Sequence, residues 1–288
     1  MIELDSKIIG IKNGRKIDFF YFQNSQMNLF RRYLYQDNWI ELEFDNELLH
    51  KGRFLAYPII SINRIEAFGK NDHIVYFNKK KINKSVYDTL SNLDNIMFLD
   101  LEMTMPSYKF RGPGFVTELI QAGLIIFDKD GNELYSYNKY VKPTVNKQLT
   151  KRALDFLNIT LEEYENLAIP YQEFYNDFNA ILDKYNPTII VYGKNDILVL
   201  NDSYRINKCK SLENKTRFIN IMKLIKTFYE LKNDPGLFKI YECYYDKSDE
   251  QEHNALDDSK VTHEVFKAFK DDINTSYFYE KIYNSFVK

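Results

Sequence analysis

The chain has 288 residues with a formal net charge of −2, 44% hydrophobic and 28% charged residues. This is the composition of an ordinary globular protein, long enough for two modest domains, and its charge exerts no global pull on nucleic acid. Two cysteines, Cys209 and Cys243, form no CxxC pair, which excludes a disulfide framework or a cysteine-based zinc set and fits a reducing, cytoplasmic setting.

From the amino terminus, residues 1–77 read as short strands between turns. "KIIGIKNGRKIDFFYF" carries Asn13-Gly14 between two β-rich runs, a hairpin signal, and "NWIELEF" alternates with Ile40, Leu42 and Phe44 on one face. About five strands in so short a span predict a small β-barrel. Residues 78–94, "NKKKINKSVYDTLSNLD", read as a basic and polar connector, with room for a short helix from Ser85. Residues 95–270 then alternate strands and helices. "IMFLDLE" is a buried strand, and two strands flank the turn Asp128–Asn132. "ITLEEYENL" opens with Thr160 and Glu163 at capping-box spacing, and "YQEFYNDFNAILDKY" has helical periodicity. "PTIIVYG" and "RFINI" are further strands, each followed by a helix, and a last helix follows His253. Three leading strands followed by alternating elements predict an α/β fold with a mixed sheet. Residues 271–288 form an aromatic tail, suited to docking on the body or on a partner. No run approaches the length of a membrane span, and nothing in the sequence names a protein partner.

Four acids fall at strand ends or helix mouths of the α/β part. Asp100 and Glu102, two apart in "FLDLEM", share one face of their strand. Asp196 follows the strand of "VYGKND", and Asp258 lies in the first turns of the last helix, where Asp257 points elsewhere as a helix-terminal charge. If the four converge, their repulsion demands protons or divalent cations, and carboxylate oxygens are the ligands magnesium and manganese prefer. Two such ions activate water on one side of a phosphodiester and stabilise the leaving oxygen on the other. His253, five residues before Asp258, titrates near neutral pH and suits proton removal from that water. Taken singly, each has a plainer reading as a helix-terminal charge, cap or surface residue.

Together these residues resemble the DEDDh family of 3′–5′ exonucleases, whose fold is ribonuclease H-like. The likeness spans about residues 95–269, with Asp100 and Glu102 in "FLDLEMT" as the first motif. "ELIQAGLIIFD" is similar to the run that follows in the family, with Gln121 where a second acid is usual. Tyr192-Gly193-Lys194-Asn195-Asp196 matches the second motif, Tyr192 replacing the common Trp, and His253, Ala255 and Asp258 match the third. The resemblance implies that Asp100, Glu102, Asp196 and Asp258 hold two divalent cations, Mg²⁺ or Mn²⁺, and that His253 is the general base. It is nearest to the branch that trims RNA, so single-stranded nucleic acid is the expected partner, RNA favoured over DNA. A DNA proofreading activity and a non-catalytic binding module remain alternatives. "MPSYKFRGPGF" adds a Gly/Pro loop after the first acids, which offers Lys109 and Arg111 to substrate if it is more than a surface loop.

"KIDFFYFQNS" resembles the aromatic second strand of cold-shock-type OB domains. Alternation pairs Phe20 with Phe22 and Phe19 with Tyr21; one pair fills a core and the other is free to stack on bases. Phe20 and Phe22 are the stacking candidates, with Lys12, Arg15 and Lys16 along the phosphates.

Overall fold

The computed structural model describes residues 2–3, 5–68, 73–246 and 254–286, and the chain divides into two compact units, Met1–Val86 and Tyr87–Lys288. The amino-terminal unit holds β1 (Ile2–Glu3), β2 (Ile8–Asn13), β3 (Lys16–Tyr21), α1 (Asn24–Phe30), β4 (Trp39–Phe44), β5 (Leu49–Lys51), β6 (Phe54–Phe68) and β7 (His73–Phe77). Its sheet runs β1-β2-β3-β6-β4, with β5 and β7 also pairing with β6. The β2–β3 hairpin turns at Gly14, whose φ of +62° lies in the left-handed region that glycine accepts. Strand β3 then joins β6 in parallel, Phe20 opposite Tyr57. The β-rich unit is as expected, but β1 and β4 end an open path, and no pairing between them closes a barrel among the described residues.

Phe20 and Phe22 are interior residues, not a stacking surface: Phe22 is 0% exposed, and Phe20 lies 5.2 Å from Phe44 and 5.9 Å from Tyr57, ring to ring. Strand alternation separates the two pairs but does not say which face is covered. The covering comes from α1, with buried Met27 and Phe30, a helix the strand pattern did not reveal. Its Gln26 side chain donates to the Ile59 and Ile60 carbonyls and so holds α1 on β6.

The expected connector is helical. α2 (Lys79–Ser91) begins directly after Asn78, whose side chain accepts the Lys81 N–H, and the division between the units falls inside it. Leu90 gives it a buried side chain among otherwise polar text.

The second unit continues with β8 (Ile96–Met103), β9 (Leu119–Phe127), β10 (Glu133–Lys142), α3 (Lys151–Leu157), α4 (Leu161–Leu167), β11 (Ile169–Pro170), α5 (Tyr171–Tyr185), β12 (Thr188–Val191), α6 (Asn195–Ile206), β13 (Arg217–Asn220), α7 (Ile221–Phe228), α8 (Leu237–Tyr245), α9 (Ala255–Thr275) and α10 (Tyr279–Phe286). The sheet order is β11-β10-β9-β8-β12-β13: β8, β9 and β10 form an antiparallel meander, and β12 and β13 run parallel to β8. This is the expected mixed sheet. Met97, Leu99 and Leu101 of β8 pack with Phe174, Phe178 and Leu182 of α5 in its main core. α4 opens with the predicted capping box, Thr160 and Glu163 exchanging side-chain-to-backbone bonds.

The boundary expected near residue 270 falls inside α9, and the remainder of the tail docks within its own unit. Ile282 of α10 is 0% exposed, and Tyr279 lies 5.8 Å from Tyr229. Buried Asp272 accepts from the Tyr229 hydroxyl at 2.6 Å and from the Phe278 N–H at 3.0 Å. Among the described residues no helix is long and apolar enough to cross a membrane.

Candidate active site

Strand β8 carries the first two acids. It pairs with β12 only through Ile96–Phe98, and beyond Phe98 the two strands part. The chain leaves β12 through Gly193, whose φ of +119° disfavours other residues, and enters α6. Asp196 in the first turn of α6 fills the gap: its Oδ1 accepts the Leu101 N–H at 3.0 Å. A backbone donor that has lost its strand partner thereby fixes one oxygen of the carboxylate.

Asp258 arrives from across the sheet. Asp100 and Glu102 stand opposite Gly123 and Gln121 in the β8–β9 ladder, and the first turn of α9 lies directly on Gly123. A Cβ on Gly123 would overlap the Ala255 carbonyl carbon and the Leu256 nitrogen. Ser259 Oγ lies 2.9 Å from the Gly123 carbonyl oxygen, to which it donates. Gln121, 0% exposed, donates to Asn138 Oδ1 at 2.9 Å and accepts the Ala255 N–H at 3.5 Å, while the Asn254 side chain caps the helix through the Leu256 N–H. A polar relay between β9, β10 and α9 thus sets the helix start.

Asp100, Glu102 and Asp258 each present an oxygen within 4.8 Å of the others. Glu102 and Asp258 are 7% and 8% exposed, and Asp100 is partly buried. Burial, then the charges of Asp258 and Asp196, pushes the Glu102 carboxyl up to about 8. Burial, followed by the charges of Asp196, Glu102 and Asp258, holds Asp100 well above the usual carboxylate range. Burial raises Asp196 to about 6, against the opposing pull of the Leu101 N–H. These are carboxylates that cannot all be ionised together without compensation. An all-oxygen donor set under that repulsion fits hard divalent cations. Asp257, by contrast, is exposed and pairs with Lys260 at 2.8 Å.

His253 lies outside the described residues. His263, one turn beyond the acid on α9, belongs to the packing: it stacks on Phe127 at 3.9 Å, and burial pushes its imidazole down to about 4. Lys109 and Arg111 are exposed on the loop that follows β8, where the Arg111 guanidinium donates to the Tyr108 and Phe110 carbonyls at 2.7 and 2.9 Å. In the amino-terminal unit Lys12 and Arg15 are exposed, and Lys16 pairs with Asp18 at 2.8 Å. Lys12 borders a groove of about 720 Å³ that Trp39 also lines.

Motif reading passed over Gly123. Its signal was available, because a lone glycine inside an apolar strand marks a bulge or a close backbone approach.

A family model described as Exonuclease, RNase_T, matches residues 97–266. The chain is 29% identical over 179 residues to the probable 3′–5′ exonuclease KapD of Bacillus subtilis, spanning 62% of this chain and 86% of that protein. A shorter match, 29% over 87 residues and 28% of each chain, is to the 3′–5′ exonuclease crn-4 of Caenorhabditis elegans. The solved nuclease domain of 3′hExo, a DEDDh family member bound to rAMP, is similar with a TM-score of 0.54 at 21% identity, covering 64% of this chain and 94% of that one. At that identity the structural likeness speaks for the fold, a ribonuclease H-like arrangement.

Proposed function

This chain belongs to the exonuclease family and is a 3′–5′ exonuclease, and from that premise we propose how its residues divide the work: Asp100, Glu102, Asp196 and Asp258 hold two divalent cations, Mg²⁺ or Mn²⁺, and His253 is the general base. The observation that carries the proposal is the meeting of Asp100, Glu102 and Asp258 from two elements, with Asp196 close enough to raise Asp100 and Glu102. Bound cations would supply water activation and stabilisation of the leaving oxygen. The chain's own residues do the rest. The Leu101 N–H fixes one oxygen of Asp196. The Gln121–Ala255 contact and the Asn254 cap set the start of α9 and hence Asp258. His253 takes a proton from the attacking water, and the products are a nucleoside 5′-monophosphate and a strand one residue shorter with a free 3′-hydroxyl.

The substrate we propose is a single-stranded 3′ end, RNA in preference to DNA. In support, the 3′hExo domain is described as bound to rAMP, and a related solved structure concerns 3′-end-specific recognition of a histone mRNA stem-loop. We assign the amino-terminal unit an accessory contact with the strand through exposed Lys12 and Arg15. The deciding experiment compares RNA and DNA of one sequence, labelled at the 5′ end, with magnesium, manganese or chelator. Expected is a descending ladder on RNA that requires the cation. Equal rates on DNA would remove the RNA preference, and cleavage unaffected by chelator would remove the metal assignment.

A further inference from the structure

The loop after β8 is knitted to a second segment, and together they make a surface that the acid cluster does not require. Residues 104–118 leave β8 one ladder pair beyond Glu102 and return into β9 just before Gln121. Their partner is residues 143–152, which run from the end of β10 into the first two positions of α3. The buried Glu118 carboxylate accepts the backbone N–H groups of Thr144, Val145 and Asn146, at 2.6, 2.9 and 2.6 Å. Asn146 Nδ2 donates to the Val116 carbonyl at 2.8 Å, and Thr150 Oγ1 to the Met105 carbonyl at 2.9 Å. A buried carboxylate spent on three backbone donors, with two side-chain ties beside it, makes the pair of segments one built platform.

What the platform displays is specific in kind. The two segments contain five cations, Lys109, Arg111, Lys147, Lys151 and Arg152, and Glu118, with its committed carboxylate, is their only acid. Among the described residues none of the five is held in an ion pair, in a chain whose net charge is −2. Tyr108 is 65% exposed, and the Arg152 guanidinium covers its ring at 5.5 Å from the centroid. Arg111 ties off the carbonyls on either side of Lys109 and holds the Tyr108–Phe110 turn. A large aromatic left in water and steadied by a cation, on segments that carry four more cations, has the makeup of a base-stacking site with phosphate contacts. Tyr108 is six positions beyond Glu102, so the Cα atoms of the two residues lie within about 22 Å of each other even if the chain is fully extended.

We propose that this platform grips the single strand upstream of the scissile phosphate: Tyr108 stacks on a base, Arg152 steadies the ring, and Lys109, Lys147 and Lys151 follow the backbone. The assignment rests on the exonuclease reading above and deepens it, because it gives the enzyme a reason to prefer a strand over a lone nucleotide ester.

The test uses the full chain and two substrates, a single-stranded oligoribonucleotide and the p-nitrophenyl ester of thymidine 5′-monophosphate, which carries no upstream nucleotide for the platform to hold. Tyr108→Ala is expected to raise KM for the oligonucleotide by about 5-fold or more, the strength of one base stack. It should leave kcat and ester hydrolysis unchanged, and Tyr108→Trp should restore the oligonucleotide KM. Lys109→Gln with Lys147→Gln should reduce the salt dependence of log KM by about 1.4, the share of two phosphate contacts on a single strand. An oligonucleotide KM unmoved by Tyr108→Ala, or one raised equally for the ester, would overturn the platform. Anisotropy of a fluorescently labelled oligoribonucleotide in chelator reads binding without hydrolysis. There, weaker binding by Tyr108→Ala supports the platform even if the wild-type chain cleaves nothing, an outcome that would sink the exonuclease reading alone.

Discussion

Asp100 stands directly across the β8–β9 ladder from Gly123, and the helix that delivers Asp258 rests on that glycine. The relationship explains how acids 158 positions apart in the chain, 100 and 258, come within one ion's reach. A residue with no side chain lets α9 approach the sheet closely enough for its fourth helical position to join a strand-borne pair.

Gly123→Ala should therefore damage the site through packing alone. The added methyl meets backbone of Ala255 and Leu256, which has no rotamer to turn aside. We expect a loss of about 1–3 kcal/mol in stability and a fall of about 100-fold in turnover, the effect of misplacing a catalytic group by an ångström. Thermal melts and cleavage of an end-labelled strand check it; full activity with an unshifted melt would refute it.

Replacing single acids separates chemistry from folding. Asp100→Asn and Asp258→Asn each remove a ligand oxygen's charge and also part of the mutual repulsion. Hydrolysis should disappear, while the metal-free variants melt no lower than the parent. Magnesium titration by calorimetry should show weakened or absent binding.

The raised carboxyls set a sign for stability against pH. Burial, then the charges of Asp258 and Asp196, takes Glu102 from its ordinary value of 4.5 to about 8 in the folded state. Between those values the folded protein holds a proton that the unfolded chain has released. The stabilisation is complete below about 4.5 and is lost as pH rises through 8. Asp196, raised to about 6, adds a loss in the lower part of that window. Metal-free protein should melt several degrees lower at pH 8 than at pH 5, on the scale of about 1 kcal/mol per few degrees. Millimolar magnesium should remove the decline, and Glu102→Gln should flatten it. A melt that rises with pH in the metal-free parent but not in Glu102→Gln would reverse the assignment.

His253→Ala should slow hydrolysis by about 10²–10⁴-fold, the usual contribution of a positioned base, while magnesium binding stays close to the parent's. Loss of binding together with rate would make His253 a ligand instead.

Asp272→Ala should release the carboxyl-terminal helix. The substitution leaves the Tyr229 hydroxyl and the Phe278 N–H without their buried acceptor, at a cost of about 2 kcal/mol. Limited proteolysis should then clip between α9 and α10 in the variant, where the parent resists.

Much of the site was readable before any coordinates. Asp100 and Glu102 share a strand face because side chains alternate, and Asp196 and Asp258 mark helix starts because acids favour those positions. Other features were not readable. The face of β3 that turned inward depended on α1, which covers Phe20 and Phe22 and whose short, polar-flanked text carries little periodicity. The connector became α2 because Asn78 capped it and Leu90 found a buried place. The tail divided between α9 and α10 because Asp272 bonds the chain at Phe278.

What the sequence determined by itself is local: the periods of strand and helix, the caps and turns, and the identity and order of the acids, all of which depend on neighbours within a few residues. Tertiary structure alone decided which faces are covered, how closely α9 approaches Gly123, and how far the carboxyls are displaced from their ordinary titration. These depend on long-range packing and on the exclusion of water from charges brought together, and neither is a property of any short stretch of chain.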